Sequence, residues 1–290
     1  MKILAFSDVG KWEGYEELVD RIKPDVIALA GDLTSEGFAS FWSEAVEQIP
    51  EFQREKKHLM KKFGVNKYGV CTRQNLEEWV HAQDSLEDKY QDTKEFLENR
   101  KRIHVDKFYK FLRYSGKKYK VLVVKGDHDD DFKDDYIPER INKIAGCKEI
   151  SGKIEKIKNL CFIGLSFNET HYVRTLESIV ENFKNRVDVV ITHCEQGKVP
   201  VVSCLNPKIM IRGHFGSGKY LVNGIPSVFT MGVKYTVVNI EAKGPPRILQ
   251  YAVDRIDGKI KILEKGSCAP WFSKVSEFER YKWLQPYPEI

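Results

Sequence analysis

The decamer KVLVVKGDHD, residues 120–129, places four apolar residues in a row, Val121 to Val124, ahead of Gly126-Asp127-His128-Asp129. A short apolar run closed by glycine and acidic residues reads as a buried strand whose exit carries ligand-type side chains. The same arrangement recurs along the chain. The run Ile3 to Phe6 leads to Asp8, Asp25 to Ala30 leads to Gly31-Asp32, Val187 to Thr192 leads to His193, and Ile209 to Ile211 leads to Gly213-His214. Tyr15, Leu18, Val19 and Ile22 fall at helical spacing between the first two runs, so residues 1–35 read as a β-α-β unit. Buried strands that deliver functional groups at their carboxyl ends point to an α/β fold with its ligand site at those ends.

Outward from these strands the pattern changes twice. From 38 to 118 the chain becomes amphipathic at helical spacing, with Leu76, Trp79, Leu86, Tyr90 and Leu97 followed by Ile103, Phe108, Phe111 and Leu112. This segment is expected to be a helical insertion forming a cap beside the strand ends, within one domain covering 1–290. Helices are also expected near Tyr136 to Ala145 and Val173 to Phe183, and Leu160 to Leu165 reads as another strand. From Lys219 to Glu264 apolar and polar residues alternate around Asn223-Gly224, Gly244-Pro245-Pro246 and Asp257-Gly258, which predicts antiparallel hairpins. The tail, 270–290, carries Trp271, Phe272, Phe278, Tyr281, Trp283 and Tyr287, and is expected to pack on the body.

With 42% hydrophobic and 31% charged residues, the chain of 290 residues has the composition of a globular domain and not of a disordered one. Its net charge of +5 is too mild to announce nucleic-acid binding, although the clusters Lys56-Lys57, Lys61-Lys62 and Arg100-Lys101-Arg102 permit it. The six cysteines, Cys71, Cys147, Cys161, Cys194, Cys204 and Cys268, never adopt the C-x-x-C spacing of zinc or redox sites and read as reduced thiols. A strand begins directly after Met1 and no apolar stretch approaches membrane-spanning length, so the expectation is a cytoplasmic protein with no membrane partner.

Asp8, Asp32, Asp127, His193 and His214, gathered at strand ends, are candidate metal ligands, since carboxylates and imidazoles together suit Mn²⁺, Fe, Zn²⁺ or a related divalent ion. In this order the motifs resemble those of the metallophosphoesterase superfamily, which includes the calcineurin-type phosphatases. The family's D-x-H, G-D-x-x, G-N-H-E/D, lone H and G-H-x-H stand here as Asp8-Val9-Gly10, Gly31-Asp32-Leu33-Thr34, Gly126-Asp127-His128-Asp129, His193 and Gly213-His214-Phe215-Gly216. The resemblance covers residues 1–35 and 119–240. It implies an αββα sandwich of two mixed sheets with flanking helices, and a divalent metal cofactor.

Carried over residue by residue, it makes Asp32 a bridging carboxylate and Asp8 a ligand of a first metal. Asp127, His193 and His214 would hold a second, and His128 would be the proton-donating or phosphate-orienting histidine, so the implied catalytic residues are His128 and Asp8. Three positions depart from the pattern: Gly10 and Gly216 replace the two first-site histidines, and Asp127 replaces asparagine. The expectation is a phosphoesterase acting on a phosphomonoester or phosphodiester, such as a phosphorylated small molecule, with one tight ion (Mn, Fe, Zn or Mg) and a weak second. The alternatives are a catalytically weak or inactive binding module of the same fold, and a nuclease-like relative. Asp129 to Asp131 read as a solvated acidic turn, and His171 or Glu195 as candidate replacements for a missing ligand.

Overall fold

A computed structural model describes residues 1–9, 12–34, 49–65, 75–90, 93–130, 136–214, 218–230, 234–241, 246–254, 261–263 and 284–286. The chain divides into two compact units, Met1–Glu36 with His104–Ile290, and Gly37–Ile103.

In the first unit the described strands form two seven-stranded sheets. One contains β1 (Lys2–Phe6), β2 (Val26–Ala30), β3 (Lys120–Val124) and β4 (Cys147–Glu149), which pair in parallel in that order. It is extended beyond β1 by antiparallel β11 (Lys234–Asn239), β12 (Arg247–Asp254) and β13 (Lys261–Leu263). The other has a parallel centre of β6 (Leu160–Leu165), β7 (Val189–His193), β8 (Ile209–Gly213) and β10 (Ile225–Phe229). Antiparallel β5 (Ile154–Ile157), β9 (Gly218–Val222) and β14 (Leu284–Pro286) complete it.

Side-chain alternation sorts the apolar residues into three layers. Ile3, Ala5, Val26, Ala28, Leu122 and Val124 meet Phe162, Val189, Ile191, Ile209 and Ile211 between the sheets. On the outer face of the first sheet, Leu4, Phe6, Ile27 and Leu29 pack against α1 (Tyr15–Ile22) and the C-terminal half of α4 (Thr93–Gly116), through Val105, Phe108, Tyr109, Phe111 and Leu112. On the outer face of the second, Ile163, Leu165, Val190 and Met210 pack against α7 (Val173–Phe183) and α8 (Val199–Ser203). Helix, sheet, sheet, helix is the αββα order expected. Short helices α5 (Pro138–Asn142) and α6 (Phe167–His171) follow β3 and β6.

The described residues of the second unit include two helices and the start of α4. In it α2 (Pro50–Phe63) and α3 (Leu76–Lys89) are held by Phe52 and Leu86, by the Phe63 and Trp79 rings at 6.2 Å, and by Lys89 on Glu55 at 2.7 Å. The insertion expected over 38–118 compares with a compact unit of Gly37–Ile103, and the apolar face of α4 beyond that point belongs to the core of the first unit. Of the aromatic tail, Leu284–Pro286 pairs with β9, and the rest lies outside the described residues. Among the described residues no helix is long and apolar enough to cross a membrane.

Candidate metal centre

The parallel strands β1, β2, β3, β7 and β8 end on one edge of the sandwich, which is why residues far apart in sequence converge there. Asp32, Asp127, His193 and His214 each direct one ligand atom into a common space, all within 4.8 Å of one another. His193 is fully buried. Its Nδ1–H donates to the Ala30 carbonyl at 2.7 Å, which fixes the ring so that Nε2 faces Asp127 Oδ1 at 2.8 Å and Asp32 Oδ2 at 3.4 Å. His214 Nδ1 lies 3.1 Å from the same Asp127 oxygen and 3.2 Å from His193 Nε2.

Local backbone makes this convergence possible. Asp8, Asp32 and His214 have φ of 52°, 53° and 79°, a left-handed conformation that non-glycine residues rarely adopt and that clusters at functional sites. Gly31 precedes Asp32 with φ of 84°, and a Cβ there would stand 2.3 Å from His193 Nδ1. A Cβ on Gly126 would stand 2.0 Å from Asp32 Oδ1. Glycine is thus required at both places for the ligands to approach.

The electrostatics are those of a crowded acidic crevice. Burial alone would lower the His193 pKa, but hydrogen bonds to Asp127 and Asp32 and the charges of Asp32 and Asp8 hold it well above the ordinary histidine value. Burial likewise disfavours the charged form of Asp127, yet its bonds to His193 and His214 hold it well below the usual carboxylate range. Asp8 is pushed up to about 7, first by burial and then by the neighbouring Asp32 charge, against His193, Ser7 and His214. Two imidazoles and two carboxylates converging this way fit a divalent ion of the Mn, Fe or Zn kind.

Other expected residues stand around this group. Asp8 lies outside the four donors, and its Oδ2 accepts the Ser7 hydroxyl and the His214 N–H, the latter at 3.3 Å. The His128 side chain is 56% exposed, with Nε2 3.6 Å from Asp127 Oδ2, while its backbone N–H donates to Asp32 Oδ1 at 3.1 Å. Gly10 and Gly216 lie outside the described residues. His171 Nδ1 is 4.0 Å from Glu195, and neither joins the four-residue group.

Asp129 overturns an expectation. It is buried, not solvated: Oδ1 accepts Leu33 N–H at 2.7 Å, Thr34 N–H at 2.9 Å and the Thr34 hydroxyl at 2.9 Å, and Oδ2 accepts Gly126 N–H at 2.8 Å. One carboxylate therefore ties the loop of Asp32 to the loop of Asp127. The Leu33 carbonyl in turn accepts from Trp12 Nε1 at 3.0 Å and lies 3.2 Å from His104 Nε2. The only sequence signal for Asp129 is its place in the third motif.

A family model for the calcineurin-like phosphoesterases matches residues 1–216. The chain belongs to the calcineurin-like phosphoesterase family. Solved structures match the chain at low identity. One crystal structure is 16% identical, covering 86% of this chain and 98% of its own, with a TM-score of 0.49. The crystal structure of TT1561 of Thermus thermophilus is 10% identical and covers 87% and 99%, with a TM-score of 0.48. No curated protein matches this chain.

Proposed function

We propose that the chain is a metal-dependent hydrolase of phosphate esters, a phosphomonoester or phosphodiester of a small molecule, working with one tightly held divalent ion. The observation that carries this reading is the convergence of Asp32, Asp127, His193 and His214 at the strand ends of a calcineurin-like phosphoesterase. When bound there, the ion supplies Lewis-acid activation of water and of the phosphoryl group. The chain's own residues do the rest. The Ala30 carbonyl keeps the proton of His193 on Nδ1 and leaves Nε2 to the site. His128, exposed with its Nε2 3.6 Å from Asp127 Oδ2, is the residue we assign to hand a proton to the leaving oxygen. Asp8 holds the His214 backbone and, with Asp32, offers carboxylates to a second, weaker cation.

The test is a screen of phosphomonoesters and phosphodiesters with the dialysed protein, with and without Mn²⁺. Turnover should require the added ion and vanish in Asp127→Ala, and His128→Ala should lower kcat by about 10²- to 10⁴-fold. One observation favours a second reading, that of a binding module: glycine stands at both positions, Gly10 and Gly216, where the family carries first-site histidines. Metal binding without turnover on any ester would select it.

A further inference from the structure

Three aromatic side chains lead away from the metal centre. The Phe167 ring lies 5.5 Å from that of His214. Phe167 and His171, one turn apart on α6, stack at 5.4 Å and 29°, and His171 meets Tyr172 edge-on at 5.1 Å. The far end of this run is open. Tyr172 is 65% exposed and Val173 47%, and among the described residues of the first unit they are the large hydrophobic side chains left most open to water.

The run is also rigidly mounted. Glu169 accepts the Ser166 N–H at 2.7 Å in a capping box, and the buried Thr170 hydroxyl lies 3.1 Å from the Ser166 carbonyl and 3.5 Å from that of His193. The platform is thereby fixed to the element that carries a metal ligand. Glu195 lies 4.0 Å from His171 Nδ1, and both side chains are about half exposed.

Exposed π faces joined to a phosphate-ester site suit a flat, uncharged ring and offer little to an alkyl chain or a second phosphate. We propose that Phe167, His171 and Tyr172 form the leaving-group subsite, selecting phosphate esters whose leaving group carries an aromatic ring such as an aryl group or a nucleobase. This inference rests on the phosphoesterase reading, since it takes the phosphate to sit at the Asp127 and His214 end.

Calorimetry on the Mn²⁺-loaded full chain tests it, with inorganic phosphate, methyl phosphate, phenyl phosphate and a nucleoside 5′-monophosphate as ligands. Phenyl phosphate and the nucleotide should bind about tenfold more tightly than methyl phosphate. Tyr172→Ala, at a position 65% exposed, should remove most of that preference, and Tyr172→Phe should keep it. Phosphate and methyl phosphate binding with no aryl preference, or a preference that survives His171→Ala with Tyr172→Ala, would overturn this inference alone. Absence of phosphate binding altogether would overturn the phosphoesterase reading and this one with it.

Discussion

Asp129 gathers four donors from two loops, and each is buried where water cannot replace it. Asp129→Ala should therefore cost about 3 kcal/mol in urea denaturation, and should weaken metal binding about 10- to 100-fold because Leu33 and Thr34 follow the ligand Asp32 directly. Gly126→Ala should separate the two effects. Its new methyl group has to displace Asp32, so metal affinity should fall by a similar factor while the cooperative unfolding transition persists. A pH dependence follows from His193. Its neighbours hold its proton well above the ordinary histidine pKa, and a cation at Nε2 must displace that proton, so Mn²⁺ affinity should rise between pH 6 and pH 8. A flat profile across that range would remove His193 from the ligand set. At this scale the sequence set Asp32, Asp127, His193 and His214 at strand exits, and the fold brings the four together. Asp129 was not legible, because a run of acids carries no sign of which one turns inward. Phe167 and Tyr172 were not, because five residues are too few to show a periodicity.

The supporting elements tie the loops of the site to the core. Trp12 stacks on Phe111 at 4.8 Å and lies 6.4 Å from Phe6, so the loop after β1, the strand itself and α4 share one aromatic cluster on the outer face of the first sheet. From that cluster Trp12 reaches the Leu33 carbonyl next to the site. Phe111→Ala opens a cavity among these rings and should destabilise the protein by about 3–5 kcal/mol, measured by chemical denaturation. The parallel strands could be read in advance because burial on both faces leaves unbroken apolar runs. The hairpins were legible for a different reason, their turn residues: Asn223-Gly224 joins β9 to β10, and Gly244-Pro245-Pro246 falls between β11 and β12. What alternation could not show is that these two hairpins belong to opposite sheets. The end of the insertion was also hidden, since the amphipathic pattern of α4 continues unchanged from one unit into the core of the other.

For the whole molecule, the αββα sandwich acts as a frame that brings five strand ends to one edge, and the distribution of ligands along that edge is uneven. Among the described residues four donors converge at one point, and in the sequence Gly10 and Gly216, which have no side chain to offer, stand where the family motifs carry histidine. Gly10→His with Gly216→His should accordingly raise the metal content of the dialysed protein from about one ion towards two, read by elemental analysis. Binding at the four-donor site should also stabilise the fold, by about 2.7 kcal/mol when free ion is at 100 times its dissociation constant, seen as a rise in Tm. The most direct measurement is calorimetric titration of the dialysed wild-type chain with Mn²⁺, repeated with Asp127→Ala. The account predicts one tight site per chain in the wild type, lost in the variant, with any further binding weak. Two equally tight sites, or an unchanged titration when Asp127 is replaced, would contradict it.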